Sequence, residues 1–271
     1  MQRTVFFISD GTAITTETMG HSLLIQFSEL ETSQVRLPFM DSEDKAREAV
    51  NQINAAFQRD GAEPLVFTTI MDKNLSDILA QSRGHTLDLL GGFLGKLGSI
   101  LGMQPEYKVG QAHGLGDIDS YDIRMDATNY ALTHDDGLSL NFDGADVILV
   151  GVSRSGKTPT CLYMGLHYGV KAGNYPLTLE DLDSMRLPGF LRQHKRKLFG
   201  LTIDPDRLCQ IREIRKPGSR YASLRQCRHE VDAAESMLRM EGVPMLRTTH
   251  ISIEEMASRI MQHMGLQKEL H

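Results

Sequence analysis

Residues 151–158 read GVSRSGKT, with Gly151, Gly156, Lys157 and Thr158 at the spacing G-x-x-x-x-G-K-[ST]. Each fixed residue has a chemical reason to be there. The two glycines let the backbone turn so that successive N–H groups converge on one anion. A helix starting just behind them adds its free N–H groups and the positive end of its dipole. Lys157 is a point charge for a terminal phosphate, and the Thr158 hydroxyl suits Mg²⁺. Val152, Ser153, Arg154 and Ser155 supply the amides between, so all eight residues are read as one cradle for a nucleotide's phosphates. Pro159 falls in the first helical turn, where its missing N–H does little harm. Arg154 has two readings, a second phosphate cation or a side chain facing solvent.

Other groups could also do chemistry. His134-Asp135-Asp136 sets a base beside two carboxylates, suited to taking a hydroxyl proton or binding Mg²⁺. The same residues, followed by Gly137, also make an ordinary tight turn. Asp204 ends an apolar run, where a second acidic residue often meets the metal of a phosphate loop, but Asp204-Pro205-Asp206 is equally a turn. Asp10 follows the first apolar run, a usual place for function in open αβ sheets. Its plain alternative is a helix N-cap formed by Ser9, Asp10 or Thr12. His21, His113, His167 and His229 share no metal-ligand spacing and are read as structural or surface residues.

The elements that must position these groups are legible as an α/β pattern. Residues 4–9 form a β-rich run, and the SDGT that follows opens a helix. Residues 35–40 and 64–71 read as strands. Between them lies a helix with Ala46, Ala49, Val50, Ile53 and Phe57 on one face. This βαβαβ order predicts a parallel sheet covered by helices. Residues 75–130 read as helical and glycine-punctuated, and the acidic tract 116–126 leads into a helix at 127–134.

The pattern restarts behind 141–146. Residues 147–150 form a strand, followed by the glycine loop and a helix to about 168. Strands are expected at 198–203 and 243–248, a long helix at 221–241, and a last helix behind the capping box Ser252-x-x-Glu255. The sequence shows no internal repeat. The fold class is therefore α/β, with an N-terminal αβ domain over 1–140 and a C-terminal phosphate-loop domain over 141–271.

Bulk properties exclude several classes. The 271 residues are 41% hydrophobic and 24% charged, ordinary values for a globular protein. The apolar run near the N-terminus is too short for a signal-peptide core. The longest apolar stretch, 87–103, is broken by Asp88, Lys96 and five glycines, so no membrane segment is expected. Cys161, Cys209 and Cys227 are an odd number without CxxC spacing, which suits reduced thiols and the cytoplasm. The net charge of −6 argues against general nucleic-acid binding. It is uneven, because residues 192–228 hold eleven Lys/Arg against three acids, a net +8 that leaves −14 on the rest. That segment is either a solvated basic face or one that meets phosphates or an acidic partner.

A phosphate loop leaves several chemistries open. The chain lacks the N/TKxD signature of guanine-nucleotide enzymes. Small-molecule kinases stay open, with residues 192–228 as a basic lid, and so does a nucleotide-sensing protein that transfers nothing. A separate N-terminal domain points to a large acceptor, such as another protein.

Three stretches narrow this. SDGTAITTETMGHSLL (Ser9–Leu24), HDDG (His134–Gly137) and GVSRSGKTPTCLYMGLHYGVKAGNYPL (Gly151–Leu177) together resemble one family, the bacterial phosphoenolpyruvate synthase regulatory proteins. These are related to the pyruvate, phosphate dikinase regulatory proteins, and the similarity runs from Val5 to the last helix. The SDGTAIT form, in place of SDS-x-GET, favours the synthase branch over the dikinase branch. The resemblance implies a bifunctional enzyme. One activity is an ADP-dependent kinase that phosphorylates a threonine of the synthase and inactivates it. The other is a phosphorolysis in which inorganic phosphate takes the phosphoryl group and pyrophosphate leaves. On this reading Lys157, the loop amides and Arg154 hold the β-phosphate of ADP, and one site or two serve the opposed reactions. Asp10 is then expected to face the second domain's site or the target protein. The same switch acting on the dikinase is the closest rival reading, and the oligomeric state, a homo-oligomer included, stays open.

Overall fold

The computed structural model describes residues 3–106 and 118–266. The elements in chain order are β1 (Arg3–Ile8), α1 (Ile14–Leu24), β2 (Thr32–Leu37), α2 (Glu43–Asp60), β3 (Leu65–Thr68), α3 (Lys73–Leu79), β4 (His85–Asp88), α4 (Gly91–Leu101) and α5 (Ile118–Thr133). There follow β5 (Val147–Gly151), α6 (Lys157–Tyr168), β6 (Ala172–Pro176), α7 (Leu179–Ser184), α8 (Gly189–Arg192), β7 (Leu198–Thr202), α9 (Pro205–Arg215), α10 (Leu224–Met240), β8 (Met245–Arg247) and α11 (Ile253–Met264). Backbone contacts divide the chain into two compact units, Met1–Leu115 and Gly116–His271.

Unit 1 is a four-stranded parallel sheet in the order β2-β1-β3-β4. Its core packs Phe6, Ile8, Val66 and the apolar face of α2 together, including Ala46, Ala49 and Ile53. That helix starts where the sequence says it should, with Ser42 accepting from Lys45 N, and it ends at Gly61 in the left-handed region. β2 lies three residues earlier than the expected 35–40. Residues 38–40 leave the sheet to close on the β1 loop, with Phe39 N donating to Gly11 O and Met40 N to Ser9 O. β4 falls inside the stretch expected to be helical. It is a four-residue strand at the sheet edge with every residue exposed, so it carries no apolar run to betray it. None of Ser9, Asp10 or Thr12 caps α1; its N-cap is Ala13 at φ 60°, with no side-chain hydrogen bond. Residues 107–117, which include His113 and the head of the acidic tract, lie outside the described residues.

Unit 2 repeats the architecture. Its parallel sheet has the order β6-β5-β7-β8, and β5 at its centre is buried along its whole length. The unit divides from the first at 115/116 instead of 140/141 because α5 packs with the second sheet's elements. Ala127 and Ala131 of α5 are buried, and Gly165 of α6 lets the two backbones approach, since a Cβ there would sit 3.0 Å from Thr128 N. β6, sequence AGNYP, is a strand that the sequence pattern does not predict, because it lacks a run of β-formers. The helix expected from 221 begins three residues later, at Leu224, and the expected box at Ser252 and Glu255 forms only its Ser252 half. Ser223 caps α10 through Gln226 N, and Ser252 caps α11 through Glu255 N, while the reciprocal capping box is found instead at Thr178 and Asp181 of α7.

Candidate functional site: a phosphate loop at the sheet's switch point

β5 is the first strand of its sheet, and its neighbours β6 and β7 lie on opposite sides of it. The loop that leaves β5 therefore emerges at the topological switch point, where open parallel sheets bind ligands. Gly151 has φ 153°, and a Cβ there would collide with the Leu201 carbonyl. Only glycine lets the strand pass so close to β7 while turning into the loop. Arg154 and Gly156 also occupy positive φ, at 77° and 94°. For Arg154 this is a costly conformation of roughly 1–3 kcal/mol, held by the loop around it. α6 then begins at Lys157 with Gly156 as its N-cap and no side-chain capping bond, so its first amides have no side-chain partner.

Two polar groups inside the loop fit an anionic guest. Lys157 is 4% exposed, and its Nζ donates to Val152 O at 3.0 Å. Burial pulls its pKa down to about 8, and the charges of Asp136 and Asp135 oppose the fall. Ser155 is 1% exposed, and its Oγ is buried with no hydrogen-bond partner. An orphaned buried hydroxyl beside a buried cation is what a phosphate's oxygens would satisfy.

Across from the loop stands the turn behind α5. Thr158 Oγ1 donates to Asp135 Oδ1 at 2.7 Å, and Asn174 Nδ2 donates to the same oxygen at 2.6 Å. Asn174 is fully buried on β6. It also accepts from Asp136 N at 3.2 Å and donates its backbone N–H to His134 O at 3.0 Å. One β6 residue, through its side chain and its backbone N–H, thus fixes the whole 134–136 turn, with Asp136 at φ 45° and Gly137 at φ 80°. His134 itself is spent on structure. Its Nδ1 lies 2.9 Å from Tyr130 O, its Nε2 2.8 Å from Asn141 O, and its ring stacks on Tyr130. The expected base of the turn is therefore engaged with backbone carbonyls, and Asp135 is the group aimed at the loop.

The loop is also braced from below. Arg212 has no exposed surface. Its Nη2 donates to Glu230 Oε2 at 2.7 Å and to Ser153 O at 3.1 Å, and its Nη1 donates to Tyr221 O at 3.1 Å. The guanidinium lies 4.0 Å from the Tyr221 ring centre, and the Tyr221 hydroxyl meets Ser153 Oγ at 3.1 Å. The carboxylate of Glu230 holds the Arg212 pKa above its ordinary value despite burial.

The remaining expected residues fall elsewhere. Asp204 is the N-cap of α9, its Oδ1 accepting from Asp206 N and Arg207 N at 3.0 and 3.2 Å, which is the turn reading and not a contact with Thr158. Asp10 belongs to unit 1, where Oδ2 accepts from Met71 N at 3.1 Å and ties the β1 loop to the β3 loop. His21 contacts Gln34, His167 stacks on Tyr163, and His229 pairs with Asp183. Among the described residues no cluster of three or more His, Cys, Asp or Glu could hold a metal. Sequence reasoning misses Asn174, Arg212 and Tyr221. Nothing local marks them, because each acts on residues 38 or more positions away.

The kinase/pyrophosphorylase family model matches residues 5–261. A protein of Stenotrophomonas maltophilia strain R551-3 is 55% identical over 269 residues, covering 99% of this chain and 98% of its own. One from Marinobacter nauticus is 49% identical with 99% of each chain covered, and one from Pseudomonas aeruginosa strain LESB58 is 50% identical with 99% and 98% covered. Each carries the name "putative phosphoenolpyruvate synthase regulatory protein".

Proposed function

The chain belongs to the kinase/pyrophosphorylase family, and from that premise we propose that it is a two-way switch on phosphoenolpyruvate synthase. In one direction a threonine hydroxyl of the synthase attacks the β-phosphorus of ADP. The new bond is O–P to threonine, the bond to the α-phosphate oxygen breaks, AMP leaves, and the hydroxyl proton passes to a carboxylate. In the other direction an oxygen of inorganic phosphate attacks the phosphothreonine phosphorus, the threonine oxygen leaves and regains a proton, and pyrophosphate departs. Phosphoryl transfer of this kind asks the protein mainly to position groups and neutralise charge.

The observation that carries the reading is the meeting of Asp135 with Thr158 at 2.7 Å beside the buried Lys157. It brings a carboxylate able to take or return a proton to the edge of a cradle able to hold phosphate. Lys157, the loop amides and the Ser155 hydroxyl bind the transferred group or its phosphate acceptor. Asp135 holds the proton in transit, and Asn174 keeps its carboxylate oriented. Mg²⁺ is implied by the Thr158 hydroxyl and the neighbouring Asp135, and when bound it neutralises charge on the phosphates. The same cradle serves phosphate in reverse, which favours one site for both reactions.

The test is direct. The purified protein is incubated with phosphoenolpyruvate synthase and either ADP or ATP, and synthase activity and phosphothreonine are followed together. The expected result is inactivation with ADP, one phosphothreonine by mass spectrometry, and recovery on adding inorganic phosphate. Transfer to a metabolite with the synthase untouched would contradict it.

A further inference from the structure

Between Arg212 and Tyr221 the chain makes an excursion that begins and ends on the same residue of the phosphate loop. Arg212 Nη2 holds the Ser153 carbonyl at 3.1 Å, and the Tyr221 hydroxyl holds the Ser153 side chain at 3.1 Å. The strap between these two anchors, residues 213–220, comprises the last turn of α9, a turn at Gly218 with φ 64°, and the start of the 3₁₀ segment 220–222. Glu213 Oε1 accepts from Gly218 N at 2.7 Å, so the strap's one acid is spent closing its own turn. Every strap residue but Ser219 is exposed.

Like Arg186, Arg196 and Arg225 on the same unit and Arg154 on the loop, the strap's Arg215, Lys216 and Arg220 enter no ion pair among the described residues. In their midst Ile214 is 85% exposed. An unpaired cationic cluster around an exposed apolar side chain is the composition of a protein-binding patch, with an apolar anchor and a charged rim. A nucleotide's phosphates would use the cations but leave Ile214 in water, and they already have the loop amides and Lys157.

We propose that the strap 213–220 is the docking surface for the protein acceptor, and that it receives an acidic or phosphate-bearing segment of that acceptor beside the phosphate loop. The inference rests on the proposed function in taking the acceptor to be a protein. Because Arg212 and Tyr221 clamp both ends of the strap to Ser153, a segment seated there is held next to the transferred phosphate.

The experiment compares the full-length wild type with a variant carrying Ile214→Ser, Arg215→Ala, Lys216→Ala and Arg220→Ala. It measures binding of phosphoenolpyruvate synthase, of ADP and of RNA, and the KM and kcat for transfer to the synthase. The expected result is synthase affinity at least about tenfold weaker and KM raised to match, with ADP affinity and kcat at saturating synthase close to wild type. Added salt should weaken wild-type binding and leave the variant's nearly flat. Unchanged synthase affinity would overturn the proposal, and so would a parallel loss of ADP affinity, which makes the strap a nucleotide lid. Loss confined to RNA binding, with synthase binding intact, would overturn it too. Strap-dependent synthase binding without any phosphoryl transfer would sink the proposed function and leave the docking surface standing. Normal transfer and binding by the four-site variant would do the reverse.

Discussion

Lys157 combines two properties that pull against each other, a positive charge that the proposed function needs for phosphate and a position that is 4% exposed. Burial lowers its pKa to about 8, so in the free protein the charge is present below that pH and lost as pH rises through it. Affinity for ADP should therefore fall with rising pH, by about tenfold between pH 7 and pH 9, since only the charged form binds well. Calorimetric titration across that range checks this, with Lys157→Ala expected to bind weakly and with a flat profile. Of the groups near this lysine, the loop residues are legible in the sequence because the motif fixes four positions within a span of eight. Asp135 is legible as a candidate, but His134 shares the reading with it. What separates the two is the pair of backbone carbonyls that occupy the imidazole, and these come from Tyr130 and Asn141 on either side of the turn.

At the scale of elements, α9 and α10 carry the loop's support. Arg212 on α9 and Glu230 on α10 form an ion pair with side chains 0% and 9% exposed, and together they hold Ser153. Removing one partner leaves the other charge buried, so Arg212→Met should cost about 3–5 kcal/mol, measurable by denaturant unfolding. The double variant Arg212→Met with Glu230→Leu should recover much of that loss, because no charge is left unpaired. Equal destabilisation in single and double variants would mean that packing, not charge, is what the pair provides. No sequence pattern announces this, since Arg212 sits in a basic run that reads either as a solvated face or as one meeting phosphates or an acidic partner, not as a buried ion pair. β4 and β6 are illegible for a related reason. One is fully exposed at an edge and the other reads AGNYP, and each takes its strand conformation from pairing with a neighbour already in place. The long amphipathic helices α2, α10 and α11 are legible because their burial follows their own periodicity.

At the scale of the whole molecule, the two units share one design. Each is a parallel sheet whose strand order is second, first, third, fourth, and each sends a loop and a helix out of its first strand. The sequence shows no repeat, because the likeness lies in chain direction and pairing, which many sequences satisfy. Only the second unit's loop has the glycines, lysine and threonine of a phosphate cradle, and on the proposed function that asymmetry assigns the chemistry to it. On the proposed function this one cradle, with Asp135 at its edge, moves a phosphoryl group in both directions. The decisive measurement uses ADP labelled at the β-phosphate, the synthase, and three proteins: wild type, Lys157→Ala and Asp135→Asn. In wild type, label should enter threonine and then leave as pyrophosphate when phosphate is added. Lys157→Ala should lose both steps with its ADP affinity, and Asp135→Asn should keep ADP affinity while both steps slow by about 10²–10⁴-fold. A variant that loses one direction and keeps the other would contradict a single shared site.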